Sequence, residues 1–216
     1  MQIEIADPRT QAAGLTAPRR IRKRVLAVKL LAAAILVLAL VAEDAHEAGA
    51  LVELVLQCSA FVLLLAAAMG RIWASAHVSP CKSRVLVCDG PYSIVRHPLY
   101  FFSFLAHLGA GLAFESLTLT LLLAGIFFAT HWSTICEEDR WLRGKFAEEF
   151  DRYCARVPRF LPRPWLLSNR DQMVVVPGKL ARAVLESSLI LMAFPLARAV
   201  DWCHLQAVLP VVARLP

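Results

Sequence analysis

The sequence predicts an all-α, polytopic membrane helical bundle with four to five transmembrane helices and a cytoplasmic amphipathic helix. Three observations predict it. Hydrophobic residues fill 58% of the 216 positions, more than a soluble domain of this length can bury. Long apolar runs recur along the chain, and the Lys and Arg excess behind its +6 formal charge lies mainly between them. A charged stretch past the middle repeats its large apolar residues every three or four positions, the period of a helix lying on a surface.

Composition also excludes classes. No basic stretch is interleaved with aromatics in the manner of a nucleic-acid module, so the positive charge reads as cytoplasmic loops and no nucleic-acid partner is expected. Six cysteines (Cys58, Cys81, Cys88, Cys136, Cys154, Cys203) form no C-x-x-C pair and do not cluster with His at zinc-ligand spacing. Free thiols and no metal site are expected. One integral membrane domain over residues 1–216 is predicted: a basic tail (1–24), a central motif region (70–162) and a C-terminal segment (163–216).

The chain opens on a polar tail, then Arg19, Arg20, Arg22, Lys23 and Arg24 precede an apolar run over 25–41. The run lacks a small-residue cleavage site, so it reads as a first membrane helix with its basic end in the cytoplasm. Lys29 lies close enough to that end to snorkel. Glu43, Asp44, His46 and Glu47 form an acidic outer turn, and a second span over 51–69 returns to Gly70 and Arg71. A cytoplasmic segment carrying Lys82, Arg84 and Arg96 ends at Pro98. Apolar runs over 99–114 and 117–132 flank Glu115 and Ser116, a connection so short that it implies an antiparallel hairpin with an outward tip.

Over 137–157, Trp141 or Leu142, Phe146, Phe150, Tyr153 and Val157 mark the apolar face of the amphipathic helix. Asp139 with Arg143, and Glu148 with Arg152, are spaced for i,i+4 pairs on its wet face. Pro158 ends the helix, and Pro162 and Pro164 keep the next segment irregular. A last run over 183–200 is the fifth candidate span, which would leave the tail near the outer surface.

Two clusters carry chemistry. Residues 90–100, "GPYSIVRHPLY", pack a Gly-Pro turn, two tyrosines, Arg96 and His97 into a helix entrance. Pro98 opens that helix without wasting an amide, and the free first-turn amides favour an anionic group. Interfacial anchoring is the plainer role for any one of these side chains. The second cluster, Glu137 and Glu138, sits where the fourth span meets the amphipathic helix. It suits a ligand's ammonium or sulfonium end, or a structural pair with Arg96 or Arg140. His107 and His131 are intramembrane candidates without an evident partner. Trp73, Trp132 and Trp141 read as interfacial anchors.

The segments "DGPYSIVRHPLY" and, after the hairpin, "EEDRWLRGKFAEEFDRYCARVPRFLP" resemble the isoprenylcysteine carboxyl methyltransferase family and its bacterial relatives, among them phospholipid methyltransferases. The resemblance spans roughly 70–162 and includes "GRIWAS". It implies an S-adenosyl-L-methionine site built from Tyr92, Val95, Arg96, His97, Pro98, Tyr100, Glu137 and Glu138, with catalytic roles for Arg96, Glu138 and Arg159. It further implies a lipid-like or amphiphilic acceptor, offering a carboxylate, amine or thiol and entering from the membrane. The expected setting is a bacterial inner membrane with the site facing the cytoplasm and no obligate protein partner.

Methyl transfer from a sulfonium needs alignment and exclusion of water more than covalent help. An amine acceptor would call on Glu137, Glu138 or His97 as base, whereas a carboxylate would need only an arginine to orient it. Ala147 departs from the Gly common in relatives and Phe150 from a Tyr, while Phe101 and Phe102 are expected to narrow the acceptor tunnel. Two alternatives remain. Membrane NADPH-dependent sterol or enone reductases share an Arg-His-Pro element before a tyrosine, though usually with Asn where Leu99 stands. A non-catalytic membrane binding module could retain the same fold.

Overall fold

A computed structural model describes residues 42–44, 49–79, 85–170, 172–206, 208 and 213–215. The expected first span over 25–41 with its basic flank, together with His46, Glu47, Cys81, Lys82 and Arg84, lies outside the described residues. The elements are β1 (Ala42–Asp44), α1 (Ala50–Val78), a short α2 (Pro91–Ile94), α3 (Pro98–Ala113), α4 (Leu117–Arg156), α5 (Pro177–Leu191), α6 (Ala193–Leu205) and β2 (Ala213–Leu215). Apart from one parallel pairing of β1 with β2, Ala42 opposite Ala213, the described elements are helical.

α1, α4 and the α5–α6 pair are each long and apolar enough to cross a membrane, and α3 is a shorter apolar helix. Leu54, Val62, Leu65, Leu121, Leu122, Leu185 and Leu189 stand exposed along them. Such surfaces are unfavourable in water and ordinary against hydrocarbon. The chain is an integral membrane protein.

Small residues set the packing of α1 on α3. Ala60, Ala67, Ala68, Gly70 and Ala74 form the buried stripe of α1. A Cβ on Gly109 of α3 would come within 2.9 Å of Leu64 and 3.1 Å of the Ala60 carbonyl. Without a hydrophobic drive between helices in lipid, close approach through small residues supplies the attraction. Two turns nearer the start of α3, the Phe102 ring occupies the place that a Cβ on Gly70 would take. Phe102 therefore fills the helix interface and Phe101 packs on Phe160, so neither narrows the cavity described below.

The hairpin forms as its short connection predicts. Glu115 turns with a φ of 56°, and Ser116 caps α4 by accepting from the Leu119 amide at 3.3 Å. The amphipathic segment is no separate helix, however: it continues the fourth span as one 40-residue α4, since no Pro or Gly interrupts residues 126–143. Its one break is Ala147, at φ 41° and ψ −116°. Beyond that break Asp151 turns back to pair with Arg143 at 2.8 Å, replacing the expected Asp139–Arg143 pair. No ion pair joins Glu148 to Arg152 among the described residues. The candidate span over 183–200 is longer than expected and bends at Met192, because Pro195 has no amide for the Leu191 carbonyl.

Candidate active site

The loop before α3 is built around Gly90. Its φ of 57° and ψ of −131° suit only glycine, and a Cβ there would strike the His77 ring. Pro91 then starts the single turn of α2, and Val95 runs extended into His97, the cap of α3. The loop is stitched to the Pro-rich segment that follows α4. The Arg96 amide donates to the Pro158 carbonyl at 2.8 Å, the Arg163 amide to Ile94 at 2.9 Å, and the Gly90 amide to Ser168 at 2.7 Å. The Tyr153 hydroxyl donates to the Tyr92 carbonyl at 2.6 Å. Beneath lie Leu86, Phe150, Tyr153 and Val157, so an apolar Phe150 suits its wholly buried position.

Asp139 is the centre of the site. Its side chain is 6% exposed, and its Oδ1 lies 2.8 Å from His97 Nε2. Its Oδ2 accepts from Arg159 Nε at 2.8 Å and from an Arg96 Nη at 3.4 Å. Burial alone would raise its pKa, but the hydrogen bond and charge of His97, with Arg96 and Arg159, outweigh it and lower the value below 3.8. Asp139 thus stays ionised, and His97 Nε2 carries a proton and donates it. Nδ1 then faces Glu138, whose Oε2 is 3.8 Å away, beyond hydrogen-bond length. Arg96 is pinned further by the Val157 carbonyl at 3.0 Å, and the Arg159 guanidinium stands 5.9 Å over the Trp132 ring.

A cavity of about 480 Å³ opens beside this network. Tyr92, Arg96, His97, Pro98, Tyr100 and Glu138 line it, joined by Arg71, Ser103, His131, Trp141, Leu142 and Phe146. Burial pushes the Tyr92 phenol well above its usual pKa, so it remains protonated. Glu138 keeps 45% of its side chain exposed and is the carboxylate of the wall. Of the residues singled out from sequence, Val95 is fully buried behind the wall, Glu137 is exposed and does not line the cavity, and Arg159 reaches the site through Asp139. His131 lines the cavity, stacked on Phe127 at 4.6 Å, whereas His107 does not. Trp141, half exposed, also lines the cavity.

Sequence reasoning missed Asp139 and placed it on the wet face. The signal was present: Ile135, Asp139, Leu142 and Phe146 fall on one helical face, and Ile135 is fully buried. Arg71 and Ser103 were missed as well, for they meet only when α1 packs on α3. The five described cysteines are free.

Fold and site together define a helical integral membrane protein with a mainly apolar cavity into which a few polar and charged side chains converge. The chain belongs to the isoprenylcysteine carboxyl methyltransferase and phospholipid methyltransferase family of membrane proteins. The phospholipid methyltransferase family model matches residues 54–149. The nickel-cobalt-cadmium resistance protein NccN of Alcaligenes xylosoxydans xylosoxydans is 36% identical over 150 residues, covering 67% of this chain and 70% of the relative. The cobalt-zinc-cadmium resistance protein CzcN of Cupriavidus metallidurans is 36% identical over 149 residues, 69% of this chain and 68% of the relative. The protein-S-isoprenylcysteine O-methyltransferase of Schizosaccharomyces pombe is 31% identical over 81 residues, 38% of this chain and 34% of the relative. No solved structure matches the chain.

Proposed function

We propose that this protein is an S-adenosyl-L-methionine-dependent methyltransferase acting on a lipid-like or amphiphilic acceptor, its site facing the cytoplasm of a bacterial inner membrane. The observation that carries this is the half-exposed Glu138 carboxylate at the rim of a cavity walled by Tyr92, Tyr100 and Trp141. A carboxylate and aromatic faces suit a sulfonium cation. The volume lies within the range of small-molecule sites, roughly 300–1,000 Å³. When bound, S-adenosyl-L-methionine supplies a methyl group on a positively charged sulfur.

The chain's own residues divide the remaining work. Asp139 holds His97 in one tautomer and one orientation, and Arg96 and Arg159 hold Asp139. His97 and Glu138 shape the polar rim. Where the acceptor is an amine, Glu138 is placed to take its proton. Where it is a carboxylate, Arg96 is the cation of the rim that orients it. Arg159 acts as a positioning residue, through Asp139. NccN and CzcN are named for metal resistance, and we infer a related setting here, with a membrane component as acceptor.

The test is equilibrium binding of S-adenosyl-L-methionine and of NADPH, side by side, to the protein in nanodiscs, followed by labelled-methyl transfer to lipid extracts. Saturable binding of the methyl donor alone, weakened in His97→Ala, is expected. Binding of NADPH alone would transfer the assignment to a reductase.

A further inference from the structure

Resting on the methyl-transfer reading, we propose that the inner end of the cavity is an anion subsite, where Arg71 with Ser103 holds a carboxylate or phosphate group of the acceptor. Both residues line the cavity. Ser103 is six residues into α3 from His97, about 9 Å deeper at the rise of a helix. His131 lies correspondingly deep on α4, seven residues before Glu138, or about 10 Å.

The geometry of this end has a specific origin. Gly70 admits the Phe102 ring against α1, and the next residue on each helix, Arg71 and Ser103, then meet. An Arg71 Nη donates to Ser103 Oγ. Ser103 spends its own proton on the Leu99 carbonyl at 2.8 Å, so its oxygen is left to accept. Arg71 Nε is buried and has no hydrogen-bond partner. No carboxylate among the described residues pairs with Arg71. Glu186 feels its charge but takes its ion pair from Arg182 at 2.8 Å.

A guanidinium in a cavity wall, with an unsatisfied buried donor and no counter-ion, is costly unless a ligand completes it. Its planar fork matches carboxylate and phosphate. The cavity therefore carries the half-exposed Glu138 carboxylate at a rim where Arg96 is already paired with Asp139, and the unpaired Arg71 guanidinium inside. An acceptor fits this order when its tail lies in lipid and its anionic group lies inward of the atom that receives the methyl.

The experiment uses the full chain in a neutral maltoside detergent, with dodecyl phosphate, dodecanoate and dodecanol as probes of binding. Wild-type protein is expected to bind at least one anionic probe about tenfold tighter than the alcohol, the scale of one charged hydrogen bond. Whichever anion is preferred identifies the headgroup chemistry. R71Q should lose the preference, and R71K, which keeps the charge but not the planar fork, should keep only part of it. Equal binding of all three probes by wild-type protein would overturn the proposal, as would an undiminished preference in folded R71Q. If R71Q does not fold, the wild-type comparison decides alone. Donor binding is measured on wild-type protein separately: anion preference without S-adenosyl-L-methionine binding would retain the subsite and remove the methyl-transfer reading.

Discussion

His97 Nε2 and Asp139 Oδ1 lie 2.8 Å apart, both side chains almost wholly buried, and this contact ties the loop before α3 to the helix that follows the hairpin. Two guanidiniums converge on the same carboxylate. Asp139→Asn keeps the shape and removes the charge, leaving Arg96 and Arg159 without their counter-ion. Breaking a buried charged cluster in this way costs about 3 kcal/mol. A thermal melt in detergent should show the loss, and donor binding should weaken because His97 is freed.

The pH dependence has a definite sign. The folded pKa of Asp139 is depressed, so its contribution to stability is complete above the ordinary carboxylate value near 3.8 and is lost as pH falls through the lower folded value. The stability gap between wild type and Asp139→Asn should therefore be constant near neutrality and narrow only in strong acid. A gap that closed between pH 7 and pH 5 would mean that another group governs it.

Glu137 and Glu138 are neighbours in sequence with opposite placements. Glu138 lines the cavity, while Glu137 is exposed outside it. Glu138→Gln should weaken S-adenosyl-L-methionine binding about tenfold or more, the scale of a lost charged interaction. Glu137→Gln should bind like wild type. Equal losses in the two variants would place the donor elsewhere.

Much of the architecture was legible because hydropathy and helix period report it directly. The hairpin followed from two apolar runs separated by Glu115 and Ser116, and the motif loop from Gly90, Pro91 and Pro98. Asp139 was hidden because a charged residue on a charged helix looks solvated. Only the face it shares with the buried Ile135 and the half-buried Leu142 shows otherwise. Arg71 was hidden for a different reason: its partner Ser103 comes from another helix, and the contact depends on how Gly70 receives Phe102.

Ala147 could be recognised from sequence as a departure, though not for its cause. Its φ of 41° with ψ of −116° is a conformation open to glycine and strained for alanine. Ala147→Gly should therefore stabilise the protein by about 1 kcal/mol, against the usual direction for a helical position. A raised melting temperature checks this, and a lowered one would mean that residues 146–148 prefer continuous helix.

The far end of the bundle offers a test of topology. Arg198 of α6 pairs with Glu115 at 2.6 Å and with Asp201 at 2.9 Å, and Gln57 of α1 donates to the same Glu115 at 2.8 Å. This clasp sits past the end of α3, about 24 Å from His97 along a 16-residue helix. If α5 and α6 cross the bilayer as one bent span, Gln172 and Gln206 lie on opposite sides, since both are exposed and flank Pro177–Leu205. Single cysteines at these positions, in a background with the native thiols replaced, should differ in labelling by an impermeant reagent applied to intact cells. Gln206→Cys should label and Gln172→Cys should not, because residue 172 follows the segment stitched to the site loop. Labelling of both from outside would make α5–α6 a re-entrant pair. Labelling of Gln172→Cys alone would turn the cavity to the outer face, away from the cytoplasmic supply of the proposed methyl donor.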